Sequence, residues 1–88
     1  MNVVVAGGTG FIGQKIVSSL LENDHKVFVL TRNLEKHKNT FSNDVIIIDW
    51  KTVNPSLLSK TNILIKLNGE KVDQLWTKSV KNKIEITN

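Results

Sequence analysis

The chain has 88 residues, of which 40% are hydrophobic and 23% charged, with a formal net charge of +4. That is enough for one small domain with a thin stability margin, and too little for a second core. It contains no cysteine, which excludes disulfides and thiolate metal sites, and no apolar run long enough to span a bilayer. It begins with strand-like residues rather than the basic run of a signal peptide, so a cytoplasmic protein is expected.

Asn2 to Ala6 (NVVVA), with its apolar β-branched run Val3 to Val5, reads as a buried parallel strand. From Gly10 to Asn23, Ile12, Ile16 and Leu20 recur at helical spacing with Val17 and Leu21 beside them. Asn23 and Asp24 are residue types that end helices. Lys26 to Thr31 (KVFVLT) reads as a second strand, 33–41 as a short helix or loop, and Asp44 to Asp49 (DVIIID) as a third strand. Asn54-Pro55-Ser56 marks a helix start, and Thr61 to Leu67 a fourth strand. The tail from Asp73 to Thr87 carries a looser apolar pattern of Leu75, Trp76, Val80, Ile84 and Ile86, read as a final helix. Alternating strands and helices predict an α/β fold: a parallel sheet of about four strands with helices on both faces, half of a doubly wound domain. With the remaining strands missing, the fourth would be an unpaired apolar edge that invites self-association.

Three glycines at a spacing of three run from the end of the first strand into the first helix: Gly7, Gly10 and Gly13. A helix start offers unpaired N–H groups and a positive dipole end to an anion. Gly7 would permit the sharp turn, Gly10 the approach of a pyrophosphate, and Gly13 close helix–strand packing. The strand before, helix after and second strand on schedule are the context a dinucleotide cradle needs. No lysine–serine or lysine–threonine pair closes the loop, so it is not a nucleoside-triphosphate loop. After the second strand stand Thr31 and Arg32 rather than an acid. A guanidinium there suits a ribose 2′-phosphate, which favours NADP(H) over NAD(H). Lys36 and Lys38 add positive charge nearby.

The runs VVVAGGTGFIGQKIVSSLL and HKVFVLTRN, the pair Asp49-Trp50, and the later KLNGE with Trp76-Thr77 resemble the extended, atypical short-chain dehydrogenase/reductases. More narrowly they are similar to the sugar-nucleotide epimerase-like branch, over nearly the whole chain. The resemblance implies a Rossmann-like half-domain over residues 1–88, the N-terminal portion of a longer, NAD(P)-binding protein. It implies a pyrophosphate loop of Gly7, Thr9, Gly10, Phe11 and Ile12, with Thr31 and Arg32 at the adenosine ribose. It puts Asp49 and Trp50 near the adenine, and Leu67, Asn68 and Gly69 toward the nicotinamide. Lys66 and Asn68 depart from the branch, which has asparagine and alanine there. The family's chemistry rests on a tyrosine acting as general acid/base. This chain has no tyrosine, so no catalytic residue is assigned and the chain is expected to hold cofactor without turning over substrate.

Other readings stay open beside this one. The chain could be a non-catalytic nucleotide-sensing or protein-interaction module. Its lysine-rich tail has no interleaved aromatic platform, so nucleic-acid binding is not expected. His25 and His37 lack partners at metal or triad spacing, and no metal site is expected. Asp49 reads equally as a ligand contact or as a strand-end acid bonding a loop amide. Trp50 and Trp76 fit packing roles as well as ligand contacts.

Overall fold

The computed structural model describes residues 1–7, 10–37, 39, 41, 43–49, 53, 55–67 and 80–86. The side chains of Pro55, Leu58 and Ile86 lie outside that description. In chain order the elements are β1 (Asn2–Ala6), α1 (Phe11–Glu22), β2 (Lys26–Thr31), α2 (Leu34–His37), β3 (Val45–Asp49), α3 (Pro55–Lys60), β4 (Ile63–Leu67) and β5 (Asn82–Ile86). All five strands run parallel in one sheet, in the order β3-β2-β1-β4-β5.

The pleat of β1 sorts its side chains onto two faces. Val3 and Val5 join Val27, Val29, Ile65 and Leu67 on one face, where α1 lays down Val17 with Ile16, Leu20 and Leu21. Val4 and Ala6 join Phe28, Leu30 and Leu64 on the other, covered by Leu57 of α3 and by Val80. Each fully buried aliphatic side chain contributes roughly 1.5–3 kcal/mol relative to exposure. Burial on both faces explains why the central strands β1 and β2 read as apolar runs rather than alternating ones.

Helix α1 ends in a Schellman motif. The N–H of Asp24 donates to the Leu21 carbonyl at 3.1 Å and that of His25 to the Leu20 carbonyl at 3.1 Å. Asp24 takes the left-handed conformation this requires, with φ 62°. The Asn23 side chain donates to the Ser19 carbonyl at 2.8 Å, covering another unpaired oxygen of the last turn.

Two expectations are corrected. Of the tail expected as a helix over Asp73 to Thr87, the described residues Asn82–Ile86 instead form β5, a fifth parallel strand, and residues 73–79 and 87 lie outside the described residues. The row of N–H and C=O groups along β4 needs partners, and β5 supplies them. Nor is β4 an unpaired edge. It pairs with β1 on one side and β5 on the other, so among the described residues the sheet edges are β3 and β5.

No helix among the described residues is long and apolar enough to cross a membrane.

Candidate functional site: the carboxyl end of the sheet

The strand order reverses at β1. The chain moves outward through β2 to β3, then returns by α3 to place β4 on the other side of β1. In open parallel sheets a ligand occupies the crevice outside the carboxyl ends of the strands at such a switch point. Ala6 and Gly7 end β1 there, and α1 starts there.

Gly7 has φ 81°, a conformation that disfavours any side chain, and its N–H donates to the carbonyl of Leu30 at 3.3 Å. Gly10 is the N-cap of α1, with φ −79° and ψ 178° and its carbonyl accepting the N–H of Gln14 at 2.9 Å. That backbone conformation is open to every residue type. Among the described residues, a Cβ built at Gly10 would meet no atom within 4 Å beyond its chain neighbours and its own helix. Neither strain nor packing against the described residues therefore calls for glycine at this position. Among the described residues no side chain caps the helix start, and its first turn carries no acid, so the positive end of the dipole is left uncompensated by this helix. Gly13 is buried on the sheet-facing side of α1.

Phe11 and Ile12 open the helix and are 73% and 42% exposed, so they face outward at the crevice rather than into the core. The Lys15 ammonium stands 4.6 Å from the Phe11 ring centroid, which keeps a cation beside the helix start. Sequence reasoning missed this pair, although its one-turn spacing was the available signal.

Thr31 ends β2, buried, and sits in register with Asp49 at the end of β3. The Thr31 hydroxyl oxygen accepts the N–H of Asn33 at 3.2 Å, and the Asn33 side-chain oxygen accepts the N–H of Lys36 at 3.1 Å. These two bonds fold the turn tightly and start α2. Arg32 lies at the crest of that turn, exposed, next to the strand end to which Gly7 is bonded. The structure thus brings Gly7, Gly10, Phe11, Ile12, Thr31, Arg32 and Asp49 to one end of the sheet. Leu67 is at the same end of β4, but it is only 2% exposed and its side chain belongs to the α1-side core. Thr9, Trp50, Asn68 and Gly69 lie outside the described residues.

Lys66, the branch departure in β4, is in register with Ala6 and Glu85. Its ammonium donates to the Glu85 carboxylate at 2.8 Å, and its side chain is 16% exposed. That hydrogen bond and charge, with Lys83 at 3.8 Å adding to them, hold the Glu85 carboxyl below its ordinary range.

Residues 1–60 match the NmrA-like family. The epimerase family protein YfhF of Bacillus subtilis (strain 168) is 29% identical over 96% of this chain and 28% of that protein. The chloroplastic epimerase family protein SDR39U1 homolog of Arabidopsis thaliana is 30% identical over 97% of this chain and 25% of its own. Among solved structures, yeast methylglyoxal/isovaleraldehyde reductase Gre2 complexed with NADPH superposes with a TM-score of 0.67 at 25% identity. That superposition covers 92% of this chain and 30% of the reductase. UDP-N-acetylglucosamine 4-epimerase from Bacillus cereus shares the fold, with a TM-score of 0.52 at 21% identity. The chain spans between a quarter and a third of the length of these relatives. With a glycine turn into a helix start, a parallel sheet reversing at β1 and these matches, the chain belongs to the NmrA-like family and corresponds to a portion of an epimerase-like short-chain dehydrogenase/reductase.

Proposed function

We propose that this chain is the cofactor-holding portion of an NADP(H)-dependent reductase or epimerase. One observation carries the reading: Gly10 is glycine where neither its backbone conformation nor packing against the described residues asks for it. A pyrophosphate seated on the start of α1 supplies the missing reason, because a Cβ at that position would stand between it and the N–H groups. In this reading Gly7, Thr9, Gly10, Phe11 and Ile12 hold the pyrophosphate through backbone N–H groups. The exposed guanidinium of Arg32, with Thr31, engages a ribose 2′-phosphate and so selects NADP(H) over NAD(H). Asp49 and Trp50 flank the adenine. Leu67, Asn68 and Gly69 line the path toward the nicotinamide, Leu67 through its backbone because its side chain is buried. The yeast reductase and the Candida albicans Gre2 were both solved with NADPH, which supports the choice of nucleotide.

A bound nicotinamide would supply or accept hydride. The chain itself contributes holding and orientation. It contains no tyrosine to act as the family's acid/base, so the 88 residues alone bind cofactor and do not turn over. A nucleotide sugar or a small carbonyl compound is the substrate class of the whole protein. Self-association by strand pairing, where it occurs, uses the β3 or β5 edge.

Titration with NADPH and NADH, followed by tryptophan fluorescence, tests the binding step. Saturable quenching with NADPH at lower concentration than with NADH is the expected result. A folded sample that responds to neither overturns the reading.

A further inference from the structure

A hollow of about 480 Å³ runs along β2 and β3 on the α3 side of the sheet, away from the glycine turn. That volume lies within the range of small-ligand sites, about 300–1,000 Å³. Its walls are Phe28, Ile46, Ile48, Val53 and Leu57. Phe28 and Ile46 are cross-strand neighbours, and Ile46 is 43% exposed on an edge strand, an apolar surface open to a ligand.

The two ends of the hollow differ in charge. At the amino end of the strands stand Lys26 and Lys60. Asn2 pairs in register with Lys26, and its side-chain amide donates to the Lys60 carbonyl at 3.1 Å, which gathers both lysines to one mouth. The Lys26 ammonium lies 5.6 Å from the Phe28 ring centroid, so it leans over the apolar wall. Among the described residues neither ammonium has a carboxylate within 4.0 Å. Asp49 sits at the opposite end. The cationic mouth is about five strand residues from the carboxyl end of the sheet, roughly 16 Å away. The cationic mouth is therefore distinct from the dinucleotide crevice, which the groove approaches only at its other end, at Asp49.

We propose that this groove binds a free amphiphilic carboxylate. The anionic head sits at Lys26 and Lys60, and the hydrocarbon tail lies on Phe28, Ile46 and Ile48. Charge selects the orientation, since the reverse pose would bring the carboxylate to Asp49. Burial of apolar surface on both sides supplies the affinity. The inference does not depend on nucleotide binding.

The test is titration of decanoate, below its micelle-forming concentration, into the isotope-labelled full chain without nucleotide, followed by NMR. Saturable shifts at Phe28, Ile46, Ile48 and Leu57 are expected, with decylammonium binding at least tenfold more weakly. Lys26→Glu with Lys60→Glu should weaken decanoate at least tenfold while the spectrum stays dispersed. Lys60→Gln, which leaves the fold undisturbed, should weaken it severalfold. Equal binding of decylammonium, unchanged affinity in the lysine variants, or non-saturating shifts would each overturn the proposal. So would sedimentation with anionic vesicles by a chain that ignores free decanoate.

Discussion

The backbone N–H of Gly7 donates to the carbonyl oxygen of Leu30 across 3.3 Å. This bond ties the turn after β1 to the last residues of β2, just before Thr31 and Arg32. Gly7 and the arginine turn are therefore joined through the sheet rather than by neighbouring sequence. In the proposed reading, this link spaces the pyrophosphate from the 2′-phosphate.

Arg32 should discriminate between nucleotides. A charge-assisted hydrogen-bonding contact to phosphate is worth about 1.5–3 kcal/mol, which is roughly ten- to a hundredfold in affinity. Arg32→Ala is expected to weaken NADPH by that amount and NADH by less than about threefold. Isothermal titration of both nucleotides checks it. Equal losses would remove the 2′-phosphate assignment.

Gly7 should matter to stability before any ligand is added. Its φ of 81° costs an L-residue on the order of 1–2 kcal/mol. In a domain of this size that lowers the melting temperature by roughly 4–8 °C per kcal/mol. Gly7→Ala is expected to show this loss by calorimetry, and Gly7→Asn a smaller one, because asparagine tolerates the left-handed region better. Identical melting of Gly7→Ala and the parent chain would contradict the turn geometry.

The Lys66–Glu85 pair makes a pH prediction. Its partner cations hold the Glu85 carboxyl below its ordinary value of 4.5. A carboxyl depressed in the folded state contributes stability that is fully present above its unfolded value. That contribution is lost as pH falls through the folded one. The parent chain should therefore exceed Glu85→Gln in stability by a constant margin near neutrality, and the margin should shrink in the acid range below 4.5. Urea unfolding across that range measures it. The margin should also fall with added salt, since Glu85 is half exposed. A margin independent of pH would show that the ion pair contributes nothing.

Most of the architecture was legible in local sequence. β1 and β2 begin and end where their apolar runs do, because strands buried on both faces leave no polar interruptions. Asn23-Asp24 marked the end of α1, and Asp24 indeed adopts the left-handed turn. The tail was misread for a definable reason. Val80 and Ile84 stand four residues apart, a helical spacing, yet Lys83, Ile84 and Glu85 alternate polar and apolar within the same segment. The unpaired groups along β4 decide between the two, and they are a tertiary fact. The site divides the same way. The glycines and Thr31-Arg32 stood out as residue types. The Gly7–Leu30 bond and the burial of Leu67 depend on strand order and left no local signature.

Gly10 tests the central claim most directly. Serine is a better N-cap than glycine by a few tenths of a kcal/mol, and among the described residues the built Cβ meets no atom within 4 Å beyond its chain neighbours and its own helix. Gly10→Ser should therefore fold as well as the parent chain or slightly better, while its NADPH affinity falls by roughly tenfold or more, a loss of about 1.4 kcal/mol. The decisive measurement is NADPH affinity and thermal stability recorded on the same Gly10→Ser sample. Unimpaired folding with lost binding is the predicted result. Unimpaired folding with undiminished NADPH affinity would contradict the account.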